Sequence, residues 1–132
     1  MATIYAVNVL NQTLADGDTI NFGEVVRKSG NGYSLSAGNI LVHGLTGLHD
    51  ISTNVVFTST SAGTATLQLY KDGVAIPGAR SELAVLSGVV ATLNIADAIA
   101  KVACACEEAV ITAVLSGVGA DISSASITVR SA

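Results

Sequence analysis

Leu67-Gln68-Leu69-Tyr70-Lys71-Asp72-Gly73-Val74-Ala75-Ile76 reads as two strands folded back on each other. Asp-Gly is a preferred pair for a two-residue hairpin loop, because both central residues must reach positive φ. With Asp72 and Gly73 as the loop, Lys71 faces Val74, Tyr70 faces Ala75 and Leu69 faces Ile76, which puts the bulky apolar residues on one side. A loop one residue longer would pair Leu69 with Ala75 and split that pattern, so the shorter loop is expected.

The same logic extends in both directions. In Ile51-Ser52-Thr53-Asn54-Val55-Val56-Phe57, the residues Ile51, Thr53, Val55 and Phe57 alternate with Ser52 and Asn54, as on a half-buried strand. Near the end, Ala125, Ile127 and Val129 form an expected inner face. Ile122, Ser124, Ser126 and Thr128 lie opposite, with Arg130 outside. Short β-rich segments between glycine-bearing turns predict strands near 3–9, 19–26, 32–36, 39–43, 49–59, 64–71, 74–77, 89–95, 99–106, 109–115 and 123–130. One run reads two ways. Ile95, Ala98, Ile99, Val102, Ala103 and Cys106 fall at a helical period, with Asn94 placed to cap it, so taken alone 95–106 fits a helix as well as a strand.

At 132 residues the chain fits one domain, 1–132, with residues 1–18 as a candidate N-terminal docking strand or arm. Half of the residues are apolar and only 12% are charged, against about 25% in an ordinary soluble domain. Part of the shortfall is a Ser/Thr-rich exterior, since 25 such residues supply polarity without charge. The remainder points to surface buried against other subunits, because the cores of subunit interfaces are depleted in charge. A net charge of −4 with six scattered Lys and Arg, Arg27-Lys28 apart, argues against nucleic-acid binding through a phosphate-neutralising patch. The N-terminus has no basic start and no apolar run of signal-peptide length. The uncharged stretch Ile51 to Tyr70 is too polar for a bilayer span, so the expectation is a soluble protein without membrane contact.

No constellation of catalytic residues emerges. His43 and His49 are the side chains that titrate near neutrality, but no Ser or Cys motif surrounds either, and Asp50 would point away from His49 on a strand. Surface or interface positions are expected for both histidines. Asp16 and Asp18 flank Gly17 in a turn that lacks the further acidic positions of a calcium loop. Glu107 and Glu108 read as a charged tip between apolar strands, which discourages edge pairing. Cys104 and Cys106 would face the same side of a strand as small hydrophobes, and two thiols with two distant histidines make no zinc site. Ser116-Gly117-Val118-Gly119-Ala120-Asp121 lacks the lysine and the helix of a phosphate loop and reads as a connection. Lys28 to Tyr33 reads as an exposed turn, with Tyr33 the aromatic that a host-surface glycan would meet. No catalytic, cofactor-binding or metal residue is therefore assigned.

Together, Gly47-Leu48-His49-Asp50-Ile51, the block Ala65 to Ala79 and Ile127-Thr128-Val129 form a pattern. It resembles the jelly-roll head of the complement-subcomponent and tumour-necrosis-factor-like superfamily in its compact microbial version, found in tailed-phage and prophage virion proteins and in spore-surface proteins. His49 stands where that pattern carries an aromatic. The resemblance runs from about Ile20 to Val129. It implies an all-β, antiparallel two-sheet jelly-roll sandwich of about ten strands, a trimer packed about a three-fold axis, and a strand over 99–106. No Gly-X-Y stalk is present.

The expected function is that of a non-enzymatic structural protein of a phage or prophage virion. It would be a trimeric head-fibre or capsid-decoration module that acts by assembly and surface adhesion, beside other virion proteins and without a cofactor. The alternatives are a fibre-tip module binding a host glycan or receptor, and a spore-surface or cell-surface structural protein of a Gram-positive bacterium.

Overall fold

The computed structural model describes residues 2–104 and 108–131. Among them are twelve strands: β1 (Thr3–Asn8), β2 (Gln12–Leu14), β3 (Asp18–Thr19), β4 (Glu24–Ser29), β5 (Tyr33–Ser36), β6 (Asn39–His43), β7 (Gly47–Ser59), β8 (Gly63–Lys71), β9 (Val74–Val85), β10 (Val90–Val102), β11 (Glu108–Ser116) and β12 (Ala120–Ser131). They build two antiparallel six-stranded sheets. The first runs β10-β7-β12-β1-β4 with β2 also on β12, and the second runs β5-β6-β11-β8-β9 with β3 also on β11. The fold is an all-β jelly-roll sandwich, as expected, with twelve strands among the described residues against the eleven segments expected from the sequence and the roughly ten that the resemblance implied.

The inner faces follow the alternation. Ile51, Val55 and Phe57 of β7 are wholly buried, as are Ala125, Ile127 and Val129 of β12, and Thr53 lies between them nearly as deep. From the facing sheet, Ile40, Leu67, Leu69, Ile111 and Leu115 close the same core. Burying side chains of this size stabilises by roughly 1.5–3 kcal/mol each.

The Asp72-Gly73 hairpin forms as expected at its tip. Asp72 and Gly73 both have positive φ, 52° and 80°, and Lys71 pairs with Val74 and Tyr70 with Ala75. The expected Leu69–Ile76 pair does not follow. The register jumps, and Gln68 lies opposite Arg80. Pro77 and Gly78 cannot continue the ladder smoothly, since proline lacks the amide donor and Gly78 takes φ of 77°. The excursion is stitched instead by one side chain: Gln68 Nε2 donates to the carbonyls of Leu69, Ile76 and Ala79 at 3.0, 3.2 and 3.0 Å. Beyond it β9 continues to Val85, well past the expected end at 77.

The ambiguous run is a strand. The segments expected at 89–95 and 99–106 are one strand, β10, carrying a bulge. Ile95 pairs with Thr53 and Ala98 with Ile51, so three steps on β10 match two on β7. Asp97 absorbs the extra residue at φ of 57°, a conformation Asp tolerates better than most residues. That single insertion produces the i, i+3 spacing of buried Ile95 and Ala98, and with it the false helical period. A second bulge, between Ile122 and Ser124 on β12, buries Ile122, which strict alternation had put outside. The segment expected at 19–26 is split into β3 and β4. Of the 99–106 expectation, Ile99 to Val102 lie in β10 while Ala103 and Cys104 follow it; 105–107 fall outside the described residues.

Candidate assembly surface

The residues singled out from sequence separate into structural pairs. His49 points into the core and is fully buried, contrary to the surface or interface position expected. Its Nδ1 meets Tyr33 Oη at 2.5 Å, and the two rings lie edge to face with centroids 5.6 Å apart. Tyr33 is itself buried, so it is not the exposed loop aromatic expected for glycan contact. β5 opens at Tyr33 and carries its side chain across the sandwich to β7, joining the second sheet to the first. Burial pushes the Tyr33 phenol up to about 12. Burial also lowers the His49 imidazole below its ordinary value, against a smaller opposing pull from the Leu45 backbone. No group meets His49 Nε2 at hydrogen-bonding geometry. A neutral imidazole is what such a site tolerates.

The remaining candidates are at the surface. His43 Nδ1 lies 3.0 Å from Glu108, with both side chains well exposed. Asp18 Oδ2 accepts the Ala15 amide at 3.0 Å and closes its own turn, while Asp16 Oδ1 accepts the Gly117 amide at 2.8 Å and ties that turn to the connection between β11 and β12. Gly117 lies at φ of +89° against the Thr64 carbonyl, where a Cβ would collide, which accounts for the glycine in that connection. Cys104 is exposed and disulfide-bonded, which corrects the expectation of a small packed thiol. Cys106 and Glu107 lie outside the described residues. Among the described residues no group of three or more His, Cys, Asp or Glu is placed to hold a metal ion.

What the structure does gather is apolar surface at the sheet edges. β9 ends the second sheet and β10 ends the first, and the two edges pack side by side. Along them Val74, Leu83, Leu86, Val89, Val90 and Ile99 remain exposed. A cleft of about 500 Å³ lies between the hairpin tip, Lys71 to Pro77, and Ile99 to Lys101. At the opposite edge of the first sheet, Val9 and Leu10 join β1 to β2 and are 73% and 76% exposed, against 66% for Leu86 and for Val90. Val26 on β4 adds to that edge. Apolar side chains exposed at sheet edges fit an interaction surface.

The outward face of the first sheet between these edges is of another kind. One row across it reads Ile99, Asp50, Arg130, Thr3 and Ser29, the next Ser52, Thr128, Tyr5 and Arg27. Small hydroxyl residues dominate, and Asp50 and Arg130 face each other at 3.4 Å. Sequence patterning indicated the charge shortage. It did not place the apolar residues on the edges, because which strands end a sheet is a property of the topology.

No protein-family model matches the chain, and no curated protein sequence matches it significantly. Solved structures do. The chain is similar to murine APRIL, with 14% identity, a TM-score of 0.75 and 98% of each chain covered. It is also similar to the globular domain of zebrafish complement 1qA, with 7% identity, a TM-score of 0.67 and 98% and 96% of the two chains covered. A third likeness is to the Eiger TNF of S. frugiperda, with 9% identity, a TM-score of 0.66 and 99% and 91% covered. At these identities the likeness is one of fold, and the fold is that of the tumour-necrosis-factor and complement-1q jelly rolls.

Proposed function

We propose that this chain is a non-enzymatic structural protein of a phage or prophage particle, a homotrimeric jelly-roll module that serves as a head fibre or capsid decoration. The observation that carries the reading is the exposed apolar line along the free edges of β9 and β10 in a chain with only 12% charged residues. Such edges in water invite pairing and association. Covering them with identical copies removes apolar area at about 25 cal/mol per Å². The similarity in fold to trimer-forming jelly rolls supports three as the number, and the microbial form of the sequence pattern supports the virion.

The ionisable side chains fit a scaffold better than a catalyst. Asp16 and Asp18 hold backbone amides, His49 is sealed in the core, and His43 pairs with Glu108 on the surface. Adhesion to a host glycan has less support. All five aromatic side chains are buried or half-buried, so none offers the exposed ring expected in a ligand-lined cleft.

Particles induced from the source culture and purified by density provide the test. Mass spectrometry should find the chain in the particle fraction, and antibody-gold should label the particle surface. Recovery only from spore-coat or cell-wall fractions would contradict the virion assignment and favour the surface-protein alternative.

A further inference from the structure

Two irregular strands leave a gap where the sheets meet at their free edges. Among the described residues β9 ladders only with β8 and β10 only with β7, so the two edges lie side by side without a shared ladder. Each is irregular near the gap: β9 through the Ile76 to Ala79 excursion and β10 through the bulge at Asp97, and such features bend a strand. Between them opens the cleft of about 500 Å³, within the range of roughly 300–1,000 Å³ seen in small-molecule sites. Ile76 and Ala100 are buried at its base, while Val74 and Ile99 stand exposed at its mouth. The charged side chains on its lining are Lys71, Asp72 and Lys101.

Those charges do not balance. Asp72 is satisfied twice, by the Val110 amide at 2.9 Å on Oδ1 and by Lys71 at 3.6 Å on Oδ2. Carboxylates toward the same end of the sandwich are also taken, since Glu108 lies 3.0 Å from His43 and Asp50 3.4 Å from Arg130. The other charges on these two strands are off the lining, with Arg80 and Glu82 paired to each other on β9 and Asp97 at the bulge of β10. Of the three charges on the lining, Lys101 has no ion pair. An apolar cavity with one uncommitted ammonium on its wall fits an apolar molecule that carries a single negative charge. A carboxylate supplies that charge. A phosphate group carries about −1.5 to −2 at neutral pH, more than one lysine beside Asp72 can balance.

We propose that this cleft binds a small apolar acid, with its carboxylate on the Lys101 ammonium and a medium-length hydrocarbon chain laid over Ile76 and Ala100 between Val74 and Ile99. The inference does not rest on the assembly reading: it concerns the gap between the two edges rather than the apolar line along them.

Decanoate, kept below the concentration at which it forms micelles, is the probe, followed by isothermal titration calorimetry on the full chain. Circular dichroism shows that each variant retains its strand spectrum. Saturable uptake of one decanoate per chain is expected. Lys101→Ala should weaken it about fivefold, the upper range for an exposed ion pair, and should leave the uptake of 1-decanol, which has the same chain and no charge, unchanged. Lys101→Arg should keep decanoate binding. Ala75→Phe, at an exposed position of the lining, should fill the cleft and abolish uptake of both probes. No saturable uptake of decanoate, an equal loss of decanol and decanoate in Lys101→Ala, an unaltered affinity in Ala75→Phe, or tighter binding of decyl phosphate would overturn the site. Sedimentation of the same samples keeps this result apart from the assembly reading: a chain that assembles and takes up no decanoate removes the site alone, and a monomer that takes it up upholds the site and removes the assembly.

Discussion

His49 is a polar residue that sequence logic places at the surface and the fold places in the core. Its alternation with Ile51 and Thr53 puts it on the inner face, yet polarity argues for the surface. What decides is a partner 16 positions away, Tyr33, and a pairing across sheets leaves no local signature. Because burial lowers the folded imidazole below its unfolded value near 6.5, the unfolded chain takes up a proton first as the pH falls. Stability should therefore be complete above about pH 7 and decline below 6.5, with His49 contributing up to about 1.4 kcal/mol per pH unit until the folded imidazole itself titrates. Urea unfolding at pH 7.5, 6.0 and 5.0 should show that slope, and Tyr33→Phe/His49→Phe should flatten it. Equal slopes in both proteins would mean that His49 is not the group that senses acid.

At the scale of elements, the Asp72-Gly73 turn was legible because both residues must take positive φ, and the chemistry that permits this is written in the two residues themselves. The bulges were not legible. A single extra residue at Asp97 changes a period of two into a spacing of three and imitates a helix, and only the pairing with β7 resolves it. The excursion at Ile76 to Ala79 depends on Gln68, whose amide meets three carbonyls. Gln68→Leu keeps the volume and removes the donor, leaving carbonyls of the bulge without their partner. It should cost about 1–3 kcal/mol in chemical denaturation. A loss within experimental error of zero would show that the excursion holds itself.

For the whole molecule, most strands and most of the core could be read from alternation, while the two-sheet jelly-roll architecture was what the family resemblance implied. The assembly surface could not be read this way, because it is defined by which strands lie at sheet edges. Val9, Leu10, Leu86 and Val90 are far apart in sequence and unremarkable singly; topology puts them on two opposed edges of one sandwich. The proposed assembly rests on the charge shortage together with the apolar residues exposed at these edges. The central claim is that identical copies cover them. Sedimentation equilibrium of the purified, unsubstituted chain across micromolar concentrations tests this most directly. The account predicts a species of about 40 kDa, three copies of the 13.2 kDa chain, whereas a stable 13.2 kDa monomer throughout would contradict it.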